Sequence, residues 1–426
     1  MAPPTSPGLG AVLAGVLAQA GLAEPEALGD LLAAESRPIG ISAVRIYLAD
    51  IQQRHLYPLA GRTGPAARVL AIDSTLAGRA YQTAIIQHAP AGPNGAGPGA
   101  GRADDAKGPA QLWVPLGNGA ERLGVLEVIA EDAGPSMAAQ CQALGSLAGL
   151  LVASKSGCSD AYARTRRTQP VALQAELAHA FTAPPSFATA KVSVSAILEP
   201  AYEVGGDAFD YSLLGDRMQV SVLDAAGHDL IAGLVASVAL AACRSTRRSG
   251  GSLADMARHA DRVIAAQFDG LRFATALLGE LNTSTGEFTW IPCGHPPPLL
   301  IRDGKVIKEL ACEPWLPLGL GQYRGAPGAG HSDGPPLPYR EQLQPGDRIL
   351  LYTDGVTEGR GADRSLFGLE RLSDFIIRST ATGLPAPEVL RRLDRVILDF
   401  QDGRLSDDAA IVLLDWAPGG PDRTAP

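Results

Sequence analysis

Residues 345–358 read Pro-Gly-Asp-Arg-Ile-Leu-Leu-Tyr-Thr-Asp-Gly-Val-Thr-Glu, a short strand (Arg348–Tyr352) that runs straight into an Asp-Gly turn at Asp354 and Gly355. Three other places share this arrangement. Asp224 follows the strand Met218–Leu223 in Leu-Asp-Ala-Ala-Gly-His, Asp207 closes Val-Gly-Gly-Asp, and Asp407-Asp408 lead into Ala-Ala-Ile-Val-Leu-Leu. Taken singly, an Asp beside Gly is ordinary turn chemistry. Taken together, each marks the end of a hydrophobic strand that must be buried.

If those strand ends converge, several carboxylates share a small volume. Two like charges about 4 Å apart repel by about 4 kcal/mol at an effective dielectric near 20. Such a cluster needs protons or cations. Asp oxygens without His or Cys partners select hard ions such as Mg²⁺ or Mn²⁺. A pair of such ions lowers the pKa of a water between them and orients a phosphate for in-line attack. On this reading the glycines keep side chains away from the place where a phosphoester approaches.

Working outward, the block from about Pro184 to Trp416 alternates many strands with few helices. Strands are expected at Val192–Leu198, Met218–Leu223, Ala274–Leu281, Glu287–Pro292, Pro298–Arg302, Arg348–Tyr352 and Ala410–Leu414. Helices are expected at Leu230–Arg244, Leu253–Phe268 and Pro387–Gln401, and residues 321–340 read as a Gly/Pro-rich surface loop. Many strands with few helices imply two packed sheets covered by helices.

The motifs Gly-Gly-Asp (205–207), Asp-x-x-Gly-His (224–228), Ala-Thr-Ala-Leu-x-Gly-Glu-Leu (274–281), Gly-His-Pro-Pro-Pro-Leu-Leu (294–300), Leu-Pro-Leu-Gly-Leu-Gly (316–321), the 345–358 stretch and Asp-Asp-Ala-Ala-Ile-Val-Leu-Leu (407–414) occur in this order. In that order they resemble the metal-dependent protein phosphatases of the protein phosphatase 2C type, and more closely the bacterial stage II sporulation protein E branch. The resemblance implies an αββα two-sheet sandwich that hydrolyses phosphoserine or phosphothreonine on a protein through a water activated by two Mn²⁺ or Mg²⁺ ions. Carried over by motif, Asp224 bridges the ions, the Ala225 carbonyl completes the second ion's shell, Asp354 and Asp407 hold the first ion, and Asp207 holds the second. Asp408 stands behind Asp407. His228 is carried as a general acid to the leaving group, and His295 is given to turn structure. Two departures stand out: Asp229 where relatives usually carry Gly, read as a helix N-terminal residue favourable to the dipole, and Ala410 where relatives often carry Thr. Neither deletes a metal carboxylate. The implied substrate is a phosphorylated anti-sigma factor antagonist of the STAS type. The alternative is a non-catalytic signalling scaffold, a pseudophosphatase that docks regulatory partners.

Ahead of this block, Ala11–Leu32 has helical spacing, and Ser42–Asp50 alternates as a strand with Val44, Ile46 and Leu48 on one face. Leu56–Gly61 reads as its hairpin partner, Ser74–Gln82 as a short helix capped by Ser74, and Leu112–Leu116 with Leu123–Ile129 as a closing hairpin; residues 90–110 read as a mobile low-complexity loop. Ile46–Asp50, residues 74–83 and residues 114–130 resemble a GAF domain, the small antiparallel-sheet sensor of signalling proteins, which implies a small-molecule ligand or a purely transmitting, dimerising role. His55 and His88 read as surface residues. Ser136–Phe181 reads as helix interrupted at Pro170, since a proline breaks a helix by removing a donor and clashing with the turn before it. The fold class is therefore α+β: a GAF-like sensor over residues 10–153, a helical linker over 154–183 and the phosphatase block over 184–417.

Composition narrows the partners. Lys+Arg is 36 against Asp+Glu 45, a net charge of −9. A chain this acidic lacks the basic patch that nucleic acid or an anionic membrane requires. Five cysteines at 141, 158, 243, 293 and 312 include no Cys-x-x-Cys, so neither a zinc site nor a disulfide framework fits. No Walker A loop and no Cys-x5-Arg phosphate loop occurs. The Met1–Glu24 stretch lacks a positive n-region, so no signal peptide is expected and the cytoplasm is the expected location. A homodimer is the expected assembly.

Overall fold

The structure, a computed structural model, describes residues 8–60, 67–90, 109–323, 336–380, 384–403 and 405–419. The chain divides into two units, residues 1–168 and 169–423.

The first unit runs α1 (Leu9–Ala20), α2 (Leu28–Ser36), β1 (Ile41–Ala49), β2 (His55–Pro58), β3 (Leu70–Ala71), α3 (Leu76–Thr83), β4 (Gln87–Pro90), β5 (Ala110–Asn118), β6 (Glu121–Ala130), α4 (Pro135–Ser156) and α5 (Asp160–Arg166). Its strands form one antiparallel sheet in the order β3-β2-β1-β6-β5-β4. Strand alternation sets the two faces of β1. Val44, Ile46 and Leu48 meet Val16 of α1, Leu28 and Leu32 of α2 and Leu144 of α4, while Tyr47 and Ala49 meet Ala77, Ala80 and Tyr81 of α3. Two helices, α1 and α2, replace the continuous stretch expected over Ala11–Leu32. The cap of α3 is Thr75, not Ser74: the Thr75 hydroxyl accepts from the Gly78 N–H at 3.0 Å. Thr75→Ala is expected to cost about 1 kcal/mol, read as a lower denaturant midpoint of the unit; an unchanged midpoint would remove the cap. Most of the expected 90–110 loop lies outside the described residues.

The expected helix over 136–181 is three helices, broken at Gly157 as well as near Pro170. Helix α5 stays with the first unit, where Arg166 donates from Nε to the Ala49 carbonyl at 3.1 Å. Helix α6 (Leu173–Phe181) belongs to the second unit, tied by Ala172 N–H to the Tyr202 carbonyl at 2.8 Å. The residues read as a linker thus split between the two units, at the boundary 168/169.

The second unit continues with β7 (Ser186–Ala188), β8 (Val192–Glu199), β9 (Asp207–Leu214), β10 (Arg217–Ala225), α7 (Leu230–Arg248), α8 (Leu253–Gln267), β11 (Ala274–Asn282), β12 (Glu287–Cys293), β13 (Leu299–Arg302), β14 (Lys305–Glu309), β15 (Tyr339–Gln342), β16 (Arg348–Tyr352), α9 (Asp354–Glu358), α10 (Gly368–Thr380), α11 (Ala386–Phe400) and β17 (Ala409–Trp416). Two antiparallel sheets result, β15-β12-β11-β10-β9 and β14-β13-β16-β17-β8-β7. Met218, Val220 and Val222 of β10 meet Val412 and Leu414 of β17 and Leu351 of β16 between the sheets. The intervening residues face outward: Leu223 and Ala225 pack under α7 and α8, and Ile411 and Leu413 pack under α10 and α11. The expected αββα sandwich is present. Residues 324–335 of the expected surface loop lie outside the described residues.

The outer α11 layer carries a buried ion pair. Glu388, 0 % exposed, accepts from Arg391 Nε and Nη2, both at 2.7 Å, and from Arg392 Nε at 2.9 Å. Glu388→Gln removes the carboxylate that Arg391 and Arg392 share, and a loss of about 3–5 kcal/mol is expected. Chemical denaturation reads it, and a loss below about 1 kcal/mol would show that water reaches the guanidinium.

Candidate active site

Alternation along the strands decides where the acidic residues point. On β10, Met218, Val220 and Val222 face the opposite sheet, so Asp224 continues that face. Asp207 pairs directly with Asp224 across the β9–β10 ladder and therefore shares it. On β16 the inward residues are Ile349 and Leu351, so Thr353 follows inward; on β17 they are Ala410 and Val412, so Asp408 precedes them inward. Four strand ends thereby turn their polar residues into one end of the cleft between the sheets.

Hydrogen bonds tie these ends together. The Thr353 hydroxyl donates to Asp207 Oδ2 at 2.6 Å and accepts the Ala410 N–H at 2.8 Å. Asp408 Oδ2 accepts the N–H groups of Gly205 and Gly206 at 2.8 and 2.7 Å. Asp408 is 6 % exposed and Asp207 1 % exposed, whereas Asp407 is exposed. Asp408 therefore anchors the Gly-Gly-Asp loop, and Asp407 presents its carboxylate toward solvent. Ala225 N–H donates to the Gly206 carbonyl at 3.0 Å.

The glycines have a different reason from the one expected. Gly205 and Gly206 are buried against the Asp224 turn. A Cβ on Gly205 would lie 2.5 Å from the His228 carbonyl oxygen, and one on Gly206 would lie 2.7 Å from the Gly227 carbonyl oxygen. Backbone packing against backbone, not open space for a phosphoester, forbids a side chain there. Gly355 meets the same constraint from the Asp407-Asp408 segment.

Asp229 caps α7, its Oδ1 accepting the Ala232 N–H at 2.9 Å, as its N-terminal reading requires. His295 is buried with Nδ1 2.8 Å from the Thr275 hydroxyl, and burial pushes its imidazole down to about 3. It stays neutral at physiological pH, as a structural residue. His228 is exposed on the turn that follows Asp224. Cys293 is buried in the core under α7 and α8. Sequence reading missed Thr353, although Thr-Asp-Gly carries it. It also missed strand β9, whose Asp, Tyr and Ser residues obscure its alternation.

Burial and then mutual repulsion raise the carboxyls. Asp207 is pushed well above the usual range, by burial and next by Asp224; Asp224 is pushed up to about 7, by burial and next by Asp354 and Asp407; Asp354 and Asp408 are raised chiefly by burial. The principal charged neighbours of Asp207, Asp224 and Asp354 are other carboxylates. Among the described residues, no three His, Cys, Asp or Glu side chains stand as a preformed ligand set. The donor chemistry nevertheless fits hard divalent cations: oxygen donors, acidic side chains and, among the described residues, other carboxylates as the principal charged neighbours.

The raised Asp224 carboxyl makes stability depend on pH. A raised folded-state pKa means that the folded protein binds the proton more tightly than the unfolded chain. Its contribution is complete below the unfolded value near 3.8 and is lost as pH rises through about 7. In EDTA stability is expected to fall between pH 5 and pH 8 by at most about 3 kcal/mol from this part-exposed group, read as a lower melting temperature. A flat profile over that window would count against the crowded cluster.

Comparison with known proteins adds to this geometry. Residues 215–417 match the family model described as stage II sporulation protein E (SpoIIE). The chain is similar to phosphoserine phosphatase RsbU of Bacillus subtilis (strain 168), 24 % identical over 226 residues, which are 52 % of this chain and 63 % of RsbU. It is similar to Protein IcfG of Synechocystis sp. (strain ATCC 27184 / PCC 6803 / Kazusa), 23 % identical over 251 residues, 52 % of this chain and 37 % of IcfG. The chain thus spans less than two thirds of the length of either relative. Among solved structures, the RsbU and RsbW domains from Mycobacterium tuberculosis are 27 % identical, with a TM-score of 0.45, over 54 % of this chain and 61 % of that one.

Proposed function

We propose, from the premise that the second unit is a stage II sporulation protein E-type domain of the protein phosphatase 2C class, that this chain is a metal-dependent phosphoserine/phosphothreonine protein phosphatase. The acidic cluster, whose principal charged neighbours among the described residues are its own carboxylates, carries this reading. Asp207, Asp224, Asp354, Asp407 and the Ala225 carbonyl are the groups that would hold two Mn²⁺ or Mg²⁺ ions. Such ions, when bound, neutralise phosphoryl charge and make a water acidic enough to lose its proton near neutral pH. The chain's own residues do the rest. Thr353 and Asp408 fix Asp207 and the Gly-Gly-Asp loop, which sets the carboxylate spacing. His228, exposed on the turn after Asp224, is the group read as giving a proton to the leaving serine or threonine oxygen.

The substrate on this reading is a phosphorylated STAS-type anti-sigma factor antagonist; the likeness to a phosphoserine phosphatase supports phosphoserine as the group attacked. The first unit is read as a GAF-like sensor, with a small-molecule ligand, acting through the helices near the boundary. A cytoplasmic homodimer completes the proposal. Two helices, Pro135–Ser156 and Leu230–Arg248, are long and apolar enough to cross a membrane, but both have a buried face in their own unit's core.

The test is hydrolysis of p-nitrophenyl phosphate and of a phosphoserine STAS protein by the full chain, with and without Mn²⁺. Mn²⁺-dependent release of phosphate from both is expected. An inert protein with Mn²⁺ would favour the scaffold, a protein that docks partners without turning them over.

A further inference from the structure

The Leu-Pro-Leu-Gly-Leu-Gly segment at 316–321 carries no acidic or nucleophilic group, yet the structure gives it a task. Asp261 of α8, 6 % exposed, accepts the N–H groups of Gly319 and Gly321 with Oδ1, both at 2.9 Å. Leu318 exchanges two backbone hydrogen bonds with Ala274, at 2.8 and 3.0 Å. Gly319 has φ +99, and a Cβ there would lie 2.7 Å from the Arg272 carbonyl oxygen. The segment therefore clamps residues 272–274 from one side. From the other side, the Asp224 turn holds the same residues: Ala226 N–H donates to the Phe273 carbonyl at 3.1 Å, and Ala225 pairs with Ala274.

This double clamp fixes the backbone of Phe273 and Ala274, and with it the place in the fold of the adjoining Arg272. Its side chain is 34 % exposed, and its nearest acidic partner, Asp229 Oδ2, is 3.9 Å from Nη2, beyond charge-assisted hydrogen-bond length. Among the described residues its guanidinium makes no closer ion pair. Five arginines of the unit are committed, Arg244 and Arg247 to Asp210, Arg302 to Asp347, Arg348 to Asp415 and Arg217 to Glu280, at 2.7–3.0 Å; Arg340 and Arg378 are as loosely paired as Arg272, at 3.7 and 3.9 Å, but neither adjoins the segment that the Asp224 turn holds. Asp229 is itself engaged as the cap of α7, so the pair is weak and solvent-screened.

A phosphomonoester approaching an acidic cluster meets carboxylates that repel it. It needs a cation at the rim with a planar pair of donors matching two phosphoryl oxygens, which is the chemistry of an uncommitted arginine. We infer that Arg272, held by the 316–321 segment, binds the phosphoryl group of the substrate at the edge of the Asp224 turn. This rests on the phosphatase reading above and deepens it: the substrate is recognised as a phosphate dianion by this side chain, and Gly319 is a positioning residue.

The experiment compares the full-length protein with Arg272→Ala, Arg272→Lys and Gly319→Ala. It reads KM and kcat on a phosphoserine peptide with Mn²⁺, and calorimetric binding of inorganic phosphate in Mg²⁺. Arg272→Ala is expected to raise KM and to weaken phosphate binding, each by about ten- to a hundredfold, with little change in kcat and with the Mn²⁺-dependent rise in melting temperature retained. Arg272→Lys is expected to recover part of the loss, and Gly319→Ala to raise KM without removing the charge. Unchanged KM and unchanged phosphate binding in Arg272→Ala would overturn the inference, as would a wild-type protein that binds no phosphate. If the wild type hydrolyses nothing, the phosphatase reading fails by itself, and the calorimetry still decides Arg272: binding lost in the alanine variant supports it, equal binding overturns it.

Discussion

Asp224→Asn, in the full chain with saturating Mn²⁺, is expected to lose about a thousandfold or more in phosphomonoester hydrolysis, equivalent to roughly 4 kcal/mol of transition-state stabilisation. Its metal-free form is expected to become more stable, not less. The two effects have one cause. Asp224 stands where Asp207 is its direct cross-strand neighbour and where Asp354, Asp407 and Asp408 add negative charge. Without cations that charge is repulsive, so a neutral amide of the same shape relieves it. With cations the same charge is the binding energy, and the amide forfeits it. Anything that binds only the folded state stabilises it by mass action, so Mn²⁺ should raise the melting temperature of the wild type and raise that of Asp224→Asn much less. Equal increments in the two proteins would remove Asp224 from the metal site. A variant that is less stable in EDTA would show that the carboxylate is held by favourable partners instead of opposed by its neighbours.

The acidic cluster was legible in the sequence because strands and carboxylates leave strong signals. An apolar run such as Arg348–Tyr352 must be buried, and an Asp at its end is easily seen. Strand alternation then fixed the facing of Asp224, though not the partner it would meet. Asp207 was read as a turn residue, but it begins a strand. The alternation of Asp-Ala-Phe-Asp-Tyr-Ser is masked because Asp210, inside that strand, is paid for by Arg244 and Arg247 from α7. Such a long-range ion pair has no local signature. The cap of α3, expected at Ser74 and found at Thr75, is similar: the choice turns on which hydroxyl has an N–H within reach. The role of Leu-Pro-Leu-Gly-Leu-Gly was invisible, since apolar and glycine residues reveal a support only when the supported backbone is in view. The same holds for Gly205 and Gly206, whose close neighbour is 20 residues or so further along the chain, on the adjoining strand end.

Gly355→Ala is expected to damage both stability and turnover, because its surroundings cannot move. The added methyl would enter the space of the Asp408 carbonyl oxygen, with the Asp408 carbonyl carbon 2.9 Å away and the Asp407 carbonyl carbon at 3.5 Å. These are backbone atoms at the start of β17, a strand buried along its whole length. A flexible side chain could swing away from a methyl, but this segment could move only by carrying Asp407, Asp408 and Ala410 with it. That shift would break the Asp408 contacts to Gly205 and Gly206 and the Thr353 contact to Ala410. Overpacking against a rigid wall costs about 1–3 kcal/mol, and lost buried hydrogen bonds add to it, so about 3 kcal/mol or more is expected in urea unfolding. Gly10→Ala is the control: nothing lies within 4 Å of its Cβ, and it sits in α1. An alanine there is expected to be neutral or to stabilise by up to about 1 kcal/mol. The discriminating reading is the Mn²⁺ titration of the folded Gly355→Ala protein. A weakened midpoint is expected, because Asp354 and Asp407 are then held at the wrong spacing. Wild-type metal affinity together with wild-type stability would mean that the turn yields freely, and that the acidic strand ends are not held in register by backbone packing.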